Sequence, residues 1–183
     1  MFRGFILLPL LCLSGLLNPV YGNETSKSLP LKQQGQPSST KNWMVSAANP
    51  YAVKAGAEIL SKGGSAADAM IAVQTVLGLV EPQSSGLGGG AFLIWFDAAS
   101  GQITTLDGRE TASRHVTPEL FQDKAGEPLK FYEAVVGGIS VGVPAVPALM
   151  LKAHQRWGKL EWANLFDNGI SLAETGFTVS PRL

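Results

Sequence analysis

The amino-acid sequence predicts a layered α/β fold of the α+β type. The pattern shows two helices, then a strand–turn–strand segment, then further helices. These segments cover residues 50–61, 66–80, 91–106, 144–157 and 160–174. Helices on both sides of a hairpin favour layers of helix and sheet over a helical bundle.

The first two helices have clear start and stop signals. Asn49 is a suitable N-cap and Pro50 fits the first helical position. Gly63 and Gly64 stop this helix. Ser65 then caps the second helix, and Asp68 stands three residues further on, as in a capping box. Since the second helix is apolar on nearly every face, we expect it to be buried and Asp68 to be structural.

The remaining elements are assigned from shorter patterns. Residues 43–47 resemble a strand, and residues 91–96 and 103–106 form a hairpin around a turn at 97–101. A short helix begins at Thr117-Pro118, and residues 135–143 form an apolar strand or loop. Gly176 closes the last helix.

The N-terminus has the features of an export signal. Residues 1–22 carry Arg3 ahead of an apolar run at 5–17, which is shorter than the roughly 20 residues of a membrane span. Residues 23–42 are polar and predict a flexible leader, so the folded part is residues 43–183. We expect a periplasmic or secreted protein that has no membrane segment once the signal is removed. The chain's one cysteine, Cys12, would leave with the signal.

Composition excludes several classes of function. The chain has 14 basic and 14 acidic residues without basic clusters, which argues against a nucleic-acid partner. His115 and His154 have no His or Cys at ligand spacing, so no metal site is predicted. A G-x-S-x-G elbow is absent from the sequence, and we expect no cofactor.

The glycine-rich loop at residues 84–90 is the most visible motif. Gly86, Gly88 and Ala91 formally match a dinucleotide-binding pattern, but a helix precedes the loop and a strand follows it, the reverse of what that motif requires. Four glycines in five residues allow close backbone approach or anion binding. Of these two, the sequence favours tight packing.

Arg109 is the candidate binding residue. It follows the second hairpin strand, beside Glu110, in a chain of which only 15% is charged. A guanidinium there can bind a carboxylate bidentately. An ordinary ion pair with Glu or Asp that holds the layers together is the alternative, and the residues alone favour it.

Several motifs taken together resemble the N-terminal part of the large subunit of the γ-glutamyltranspeptidase family. The matching segments are residues 47–50 (AANP), 63–69 (GGSAADA), 81–90 with Phe92, 107–110 (DGRE), 141–144 (VGVP) and 174–179 (ETGFTV). The resemblance extends over residues 43–183, and it is specific because the motifs occur in the family's order.

This resemblance implies an αββα sandwich of the N-terminal-nucleophile hydrolase type, incomplete in this chain. Family members are precursors that cut themselves into a large and a small subunit. They cleave the γ-glutamyl amide of glutathione and other γ-glutamyl compounds, and they transfer the acyl group to water or to an amino acid or peptide. The role of holding the substrate α-carboxylate falls on Arg109.

The same resemblance places the catalytic Thr beyond residue 183, at the start of the small subunit, so no catalytic residue is assigned here. Ser180-Pro181 is a helix-start signal at the end of the chain, and we expect an N-terminal fragment of a precursor. Alone it should lack γ-glutamyl hydrolysis. It should also dissolve poorly, because the hairpin edges and the 66–80 helix would lack partner layers.

Two other functions remain open. One is a cephalosporin acylase-like amidase of the same superfamily, in which Arg109 would matter little. The other is a secreted, non-catalytic module that binds amino-acid carboxylates, which would require the chain to fold alone.

Overall fold

A computed structural model describes residues 39–183, and the predicted signal and most of the leader lie outside this range. The helices are α1 (Pro50–Ser61), α2 (Ala66–Val80), α3 (Phe131–Val135), α4 (Val146–Trp157) and α5 (Asp167–Thr175). The strands are β1 (Ala91–Asp97) and β2 (Gln102–Gly108). Short 3-10 helices cover Pro118–Phe121, Gly138–Ser140 and Trp162–Phe166.

The predicted caps of α1 and α2 are confirmed. The Asn49 side chain accepts a hydrogen bond from the Tyr51 N–H at 3.0 Å, and Pro50 opens the helix. Gly63 has φ +85°, a left-handed conformation that favours glycine, just after α1. The capping box is complete, since Asp68 N–H donates to Ser65 Oγ and Ser65 N–H donates to Asp68 Oδ2.

Helix α2 is the centre of the core. Its neighbours are α1, α4, α5 and the 3-10 helix Trp162–Phe166, so this helix has partner layers within the chain. The expectation that α2 would lack partner layers is therefore wrong. The buried residues packed together here are Ala52, Ala55, Ile59, Ala69, Ile71, Ala72, Val76, Val80, Val146, Met150 and Leu165.

Strands β1 and β2 form a two-stranded antiparallel sheet in which Ala91 pairs with Gly108 and Asp97 pairs with Gln102. The inner face of this sheet packs on α4, where Trp95 stacks on Trp157 with ring centroids 4.6 Å apart. The mixed α+β class is confirmed. Within residues 39–183 a single two-stranded sheet is present, as expected for an incomplete sandwich.

Two elements differ from their predictions. Residues 43–47 do not form a strand, because a strand requires a partner for its backbone hydrogen bonds and none pairs with them in the described part of the chain. Val135 ends α3, and residues 136–143 form a loop with one 3-10 turn, which agrees with the loop alternative of the prediction for residues 135–143. The last predicted helix is divided into a 3-10 helix and α5, and Gly176 closes α5 with φ +83°.

Candidate functional site

Arg109 lies immediately after β2, at the rim of a cavity of about 460 Å³. The Asp107 carboxylate accepts a hydrogen bond from the Arg109 N–H at 2.9 Å, which turns the chain out of the strand. The Arg109 side chain is 68% exposed, and its Nε lies 3.8 Å from Glu110 Oε2. Contact with the adjacent residue cannot hold layers together, so the ion-pair alternative for Arg109 has little support here.

The cavity beside Arg109 is lined by both polar and apolar residues. Its lining residues are Arg109, Glu110, Thr111, Ala112, Ser113, Val116, Leu120, Phe121, Gly138, Ile139, Ser140, Val141 and Gly142. Among these described residues Arg109 is the one cation. The arrangement suits a ligand with a carboxylate at one end, because guanidinium and carboxylate match in both charge and geometry.

The glycine-rich loop borders a second cavity, of about 470 Å³, which Glu110 also lines. A Cβ atom added at Gly86, Gly88 or Gly89 would meet nothing within 4 Å. At Gly90 it would overlap Glu110 and lie 2.8 Å from Gly108 O. The prediction of tight packing is therefore wrong for most of the loop and holds at Gly90.

Glu81 anchors the start of this loop. Its side chain is buried, and it accepts hydrogen bonds from Asn49 Nδ2 at 2.9 Å and from Gln83 Nε2 at 2.7 Å. Arg182 Nε lies 3.9 Å from the same carboxylate, and Arg182 Nη2 donates to Ser84 Oγ at 2.9 Å. The N-cap of α1, the end of α2 and the C-terminal segment thus meet at one carboxylate.

This cluster predicts a pH dependence of stability. The hydrogen bond from Asn49 is the main cause that holds the pKa of Glu81 below its ordinary value, with smaller help from Gln83 and Arg182, while burial opposes the shift. A lowered folded-state pKa stabilises the fold above the unfolded-state pKa of about 4.3, and this stabilisation is lost as pH falls through the folded-state value. Urea unfolding of wild type and Glu81→Gln can be measured at pH 7 and in steps down to pH 3. The wild-type chain should have the higher free energy of unfolding at pH 7, and this advantage should shrink at acid pH. An advantage that grows toward acid pH would contradict the assignment.

His154 of α4 and Asp68 of α2 both bond to the segment at residues 159–160, and the structural role predicted for Asp68 is confirmed. His154 Nε2 donates to Leu160 O at 2.8 Å, and its ring packs edge-on against Trp162, so it is not a surface residue. Asp68 is fully buried and accepts further hydrogen bonds from the N–H groups of Lys159 and Leu160. Its carboxylate caps α2 and also ties it to the segment that follows α4.

Some site residues had no visible sequence signal. The apolar lining residues of the cavity come from residues 116–121 and 138–142, which have no periodicity that marks them as one surface. Gly142 is visible only as part of a family-like motif, because nothing in its neighbours shows that it contacts Glu110. Within residues 39–183 no cluster of three or more potential metal ligands occurs. In the same range no helix is both long and apolar enough to cross a bilayer.

Comparison with known proteins decides the family. Residues 52–183 match the family model described as gamma-glutamyltranspeptidase. The chain belongs to this family. A glutathione hydrolase proenzyme of Bacillus subtilis is 39% identical over 143 residues, which are 78% of this chain and 24% of that protein.

Solved structures of the γ-glutamyltranspeptidase family show the same fold. The enzyme from Pseudomonas nitroreducens superposes with a TM-score of 0.73 at 35% identity, over 79% of this chain and 42% of that one. A cephalosporin acylase from Bacillus halodurans superposes with a TM-score of 0.61 at 33% identity, over 81% and 28% of the two chains. The chain spans about a quarter of the length of the Bacillus subtilis relative (24%).

Proposed function

We propose that this chain is the N-terminal part of the large subunit of a γ-glutamyltranspeptidase precursor. The complete enzyme would cleave the γ-glutamyl amide of glutathione and related compounds and transfer the acyl group to water, an amino acid or a peptide. Family membership supports this proposal, as does similarity to a glutathione hydrolase proenzyme. The small subunit of the same precursor would be the partner and would supply the nucleophilic Thr.

Arg109 would bind the α-carboxylate of the γ-glutamyl group. The observation that carries this proposal is the exposed guanidinium at the cavity rim, next to a backbone turn that fixes its Cα. Charge-assisted hydrogen bonds to a carboxylate are about twice as strong as neutral ones. Such binding is present in ground state and transition state alike, so it should lower KM more than it raises kcat.

The proposed location is the periplasm or the extracellular space. The signal pattern over residues 1–22 supports it, and zymogen maturation after export fits the word proenzyme in the relative's name. Glutathione outside the cytoplasm would then be the substrate pool.

Substitution of Arg109 in the complete precursor tests this function. Arg109→Ala should raise KM for a chromogenic γ-glutamyl anilide by roughly 10- to 100-fold, the equivalent of the 1.5–3 kcal/mol typical of hydrogen bonds to charged groups. The KM of Arg109→Lys should lie between those of wild type and Arg109→Ala, since an ammonium keeps the charge but loses the bidentate geometry. Steady-state kinetics on processed enzyme would give both constants.

Arg114→Ala is the matched control for this test. Arg114 is exposed and is absent from the cavity lining, so its loss should leave KM within about twofold of wild type. The 183-residue chain alone should give no turnover. A wild-type KM for Arg109→Ala would contradict the assignment.

An amidase acting on another acyl group is the second candidate. The similarity to a cephalosporin acylase from Bacillus halodurans is the observation that favours it. Turnover of a cephalosporin side-chain amide that is insensitive to Arg109→Ala would identify this activity.

A further inference from the structure

The Glu110 side chain lies between two glycines that come from distant parts of the sequence. Gly90 ends the glycine-rich loop, and a Cβ atom there would lie 2.6 Å from Glu110 N and would overlap Glu110 Oε2. Gly142 precedes α4, and a Cβ atom there would lie 3.0 Å from Glu110 Cγ and 3.1 Å from its Cβ. Real Cβ atoms do not approach other heavy atoms to 2.6 Å, so Gly90 admits no side chain while Glu110 keeps this position.

Backbone hydrogen bonds join the segments that contain the two glycines. Gly89 O accepts from Ala145 N at 3.0 Å and from Val146 N at 3.2 Å, which ties the glycine-rich loop to the start of α4. Thr111 O accepts from Val143 N at 2.8 Å, which ties the segment after Glu110 to the same region. Because three segments are joined around Glu110, an added methyl group cannot be absorbed by moving one of them alone.

The position of Glu110 bears directly on Arg109. The two residues are adjacent, Arg109 Nε lies 3.8 Å from Glu110 Oε2, and the Asp107 carboxylate holds the Arg109 N–H. Among residues 39–183 the buried Glu110 Oε2 has no hydrogen-bond partner, so close packing, including that against Gly90 and Gly142, positions this carboxylate. A shift of Glu110 would therefore move both the backbone and the charge beside the Arg109 guanidinium.

We propose that Gly90 and Gly142 are positioning residues for carboxylate recognition by Arg109. Because these two residues have no side chain, the Glu110 side chain fits between them. The position of Glu110 in turn sets the direction of the Arg109 guanidinium at the cavity rim. This inference rests on the proposed function of Arg109.

The glycine-rich loop contains its own control. Gly88 stands two residues before Gly90, and a Cβ atom there would meet nothing within 4 Å. Neither glycine has a positive φ, so neither requires the left-handed backbone conformation that disfavours alanine. Gly88→Ala and Gly90→Ala therefore make the same chemical change in the same loop, but only the methyl group at residue 90 would meet Glu110 and the neighbouring Gly108 carbonyl.

The test compares Gly90→Ala, Gly142→Ala and Gly88→Ala in the complete processed enzyme, with a chromogenic γ-glutamyl anilide as substrate. Misplacement of a binding group by about 1 Å can cost up to about 100-fold, so Gly90→Ala should raise KM about tenfold or more. Gly142→Ala should raise KM a few-fold, because the closest contacts of its added methyl group, 3.0 Å and 3.1 Å to Glu110, are less severe than those at Gly90. Gly88→Ala should keep the wild-type KM.

A double substitution separates positioning from general stability. When Arg109→Ala is already present, Gly90→Ala should raise KM no further, since the guanidinium that Gly90→Ala would displace is absent. A purely structural loss would instead lower the amount of folded enzyme and kcat equally in both backgrounds. Thermal unfolding of each variant shows which of them fold.

The outcomes distinguish this inference from the proposed function. Wild-type KM in folded Gly90→Ala, or an equal KM increase with and without Arg109, would overturn the inference and leave the proposed function standing. If Gly90→Ala does not fold, Gly142→Ala decides, and a wild-type KM there overturns the inference. Absence of γ-glutamyl turnover by the wild-type enzyme would overturn both.

Discussion

Asp68→Ala is expected to lower the free energy of unfolding by at least about 3 kcal/mol, because it removes the acceptor of three backbone hydrogen bonds from a buried site. Asp68 is fully buried, and its Oδ2 accepts from Ser65 N at 2.8 Å, Lys159 N at 2.9 Å and Leu160 N at 3.3 Å. Removal of the carboxylate leaves these backbone donors unpaired, and an unsatisfied buried donor costs about 1–3 kcal/mol. Urea unfolding followed by circular dichroism measures the loss.

Ser65→Ala is the matched control, because it removes the other half of the capping box and leaves the contacts to residues 159–160 intact. Loss of an N-cap costs typically about 1 kcal/mol. The loss of unfolding free energy in Asp68→Asn should lie between those of Ser65→Ala and Asp68→Ala, since one side-chain oxygen remains to accept hydrogen bonds. If Asp68→Ala costs no more than Ser65→Ala, then the carboxylate is a local cap only.

Ile94→Lys is expected to raise the soluble fraction of the expressed chain several-fold. One face of the hairpin is apolar and uncovered, with exposures of 68% for Phe92, 75% for Ile94, 61% for Phe96 and 69% for Ile103. Exposed apolar patches of this kind favour association, and a charge at their centre opposes it. The measurement is the ratio of soluble to total chain after lysis, with sedimentation of the soluble part.

Leu93→Lys is the control for the hairpin face. Leu93 is adjacent to Ile94 but points to the opposite face, where it pairs with Leu106 and lines a small cavity with Leu149 and Met150 of α4. Lysine there should lower both solubility and stability. Equal behaviour of the two variants would contradict the orientation of the hairpin. A soluble Ile94→Lys chain also supplies the background in which the Asp68 variants can be compared.

Local sequence predicted most of the elements for physical reasons that are themselves local. Asn49, Pro50 and Ser65 satisfy backbone groups within their own first turns, so their roles are visible without any tertiary contact. The hairpin was predicted because its strands and turn are contiguous in sequence. Residues 43–47 were mispredicted because a strand depends on a partner that local pattern does not reveal.

The sequence alone determined the family, through the order of its motifs. The same motifs identified Arg109 as the candidate binding residue. Only the tertiary structure decided that Arg109 is exposed at a cavity rim, that Asp68 joins α2 to residues 159–160, and that Gly90 and Gly142 enclose Glu110. These facts depend on contacts between residues that are far apart in the chain. A glycine in an open loop and a glycine pressed against a carboxylate have the same sequence signature, and packing alone distinguishes them.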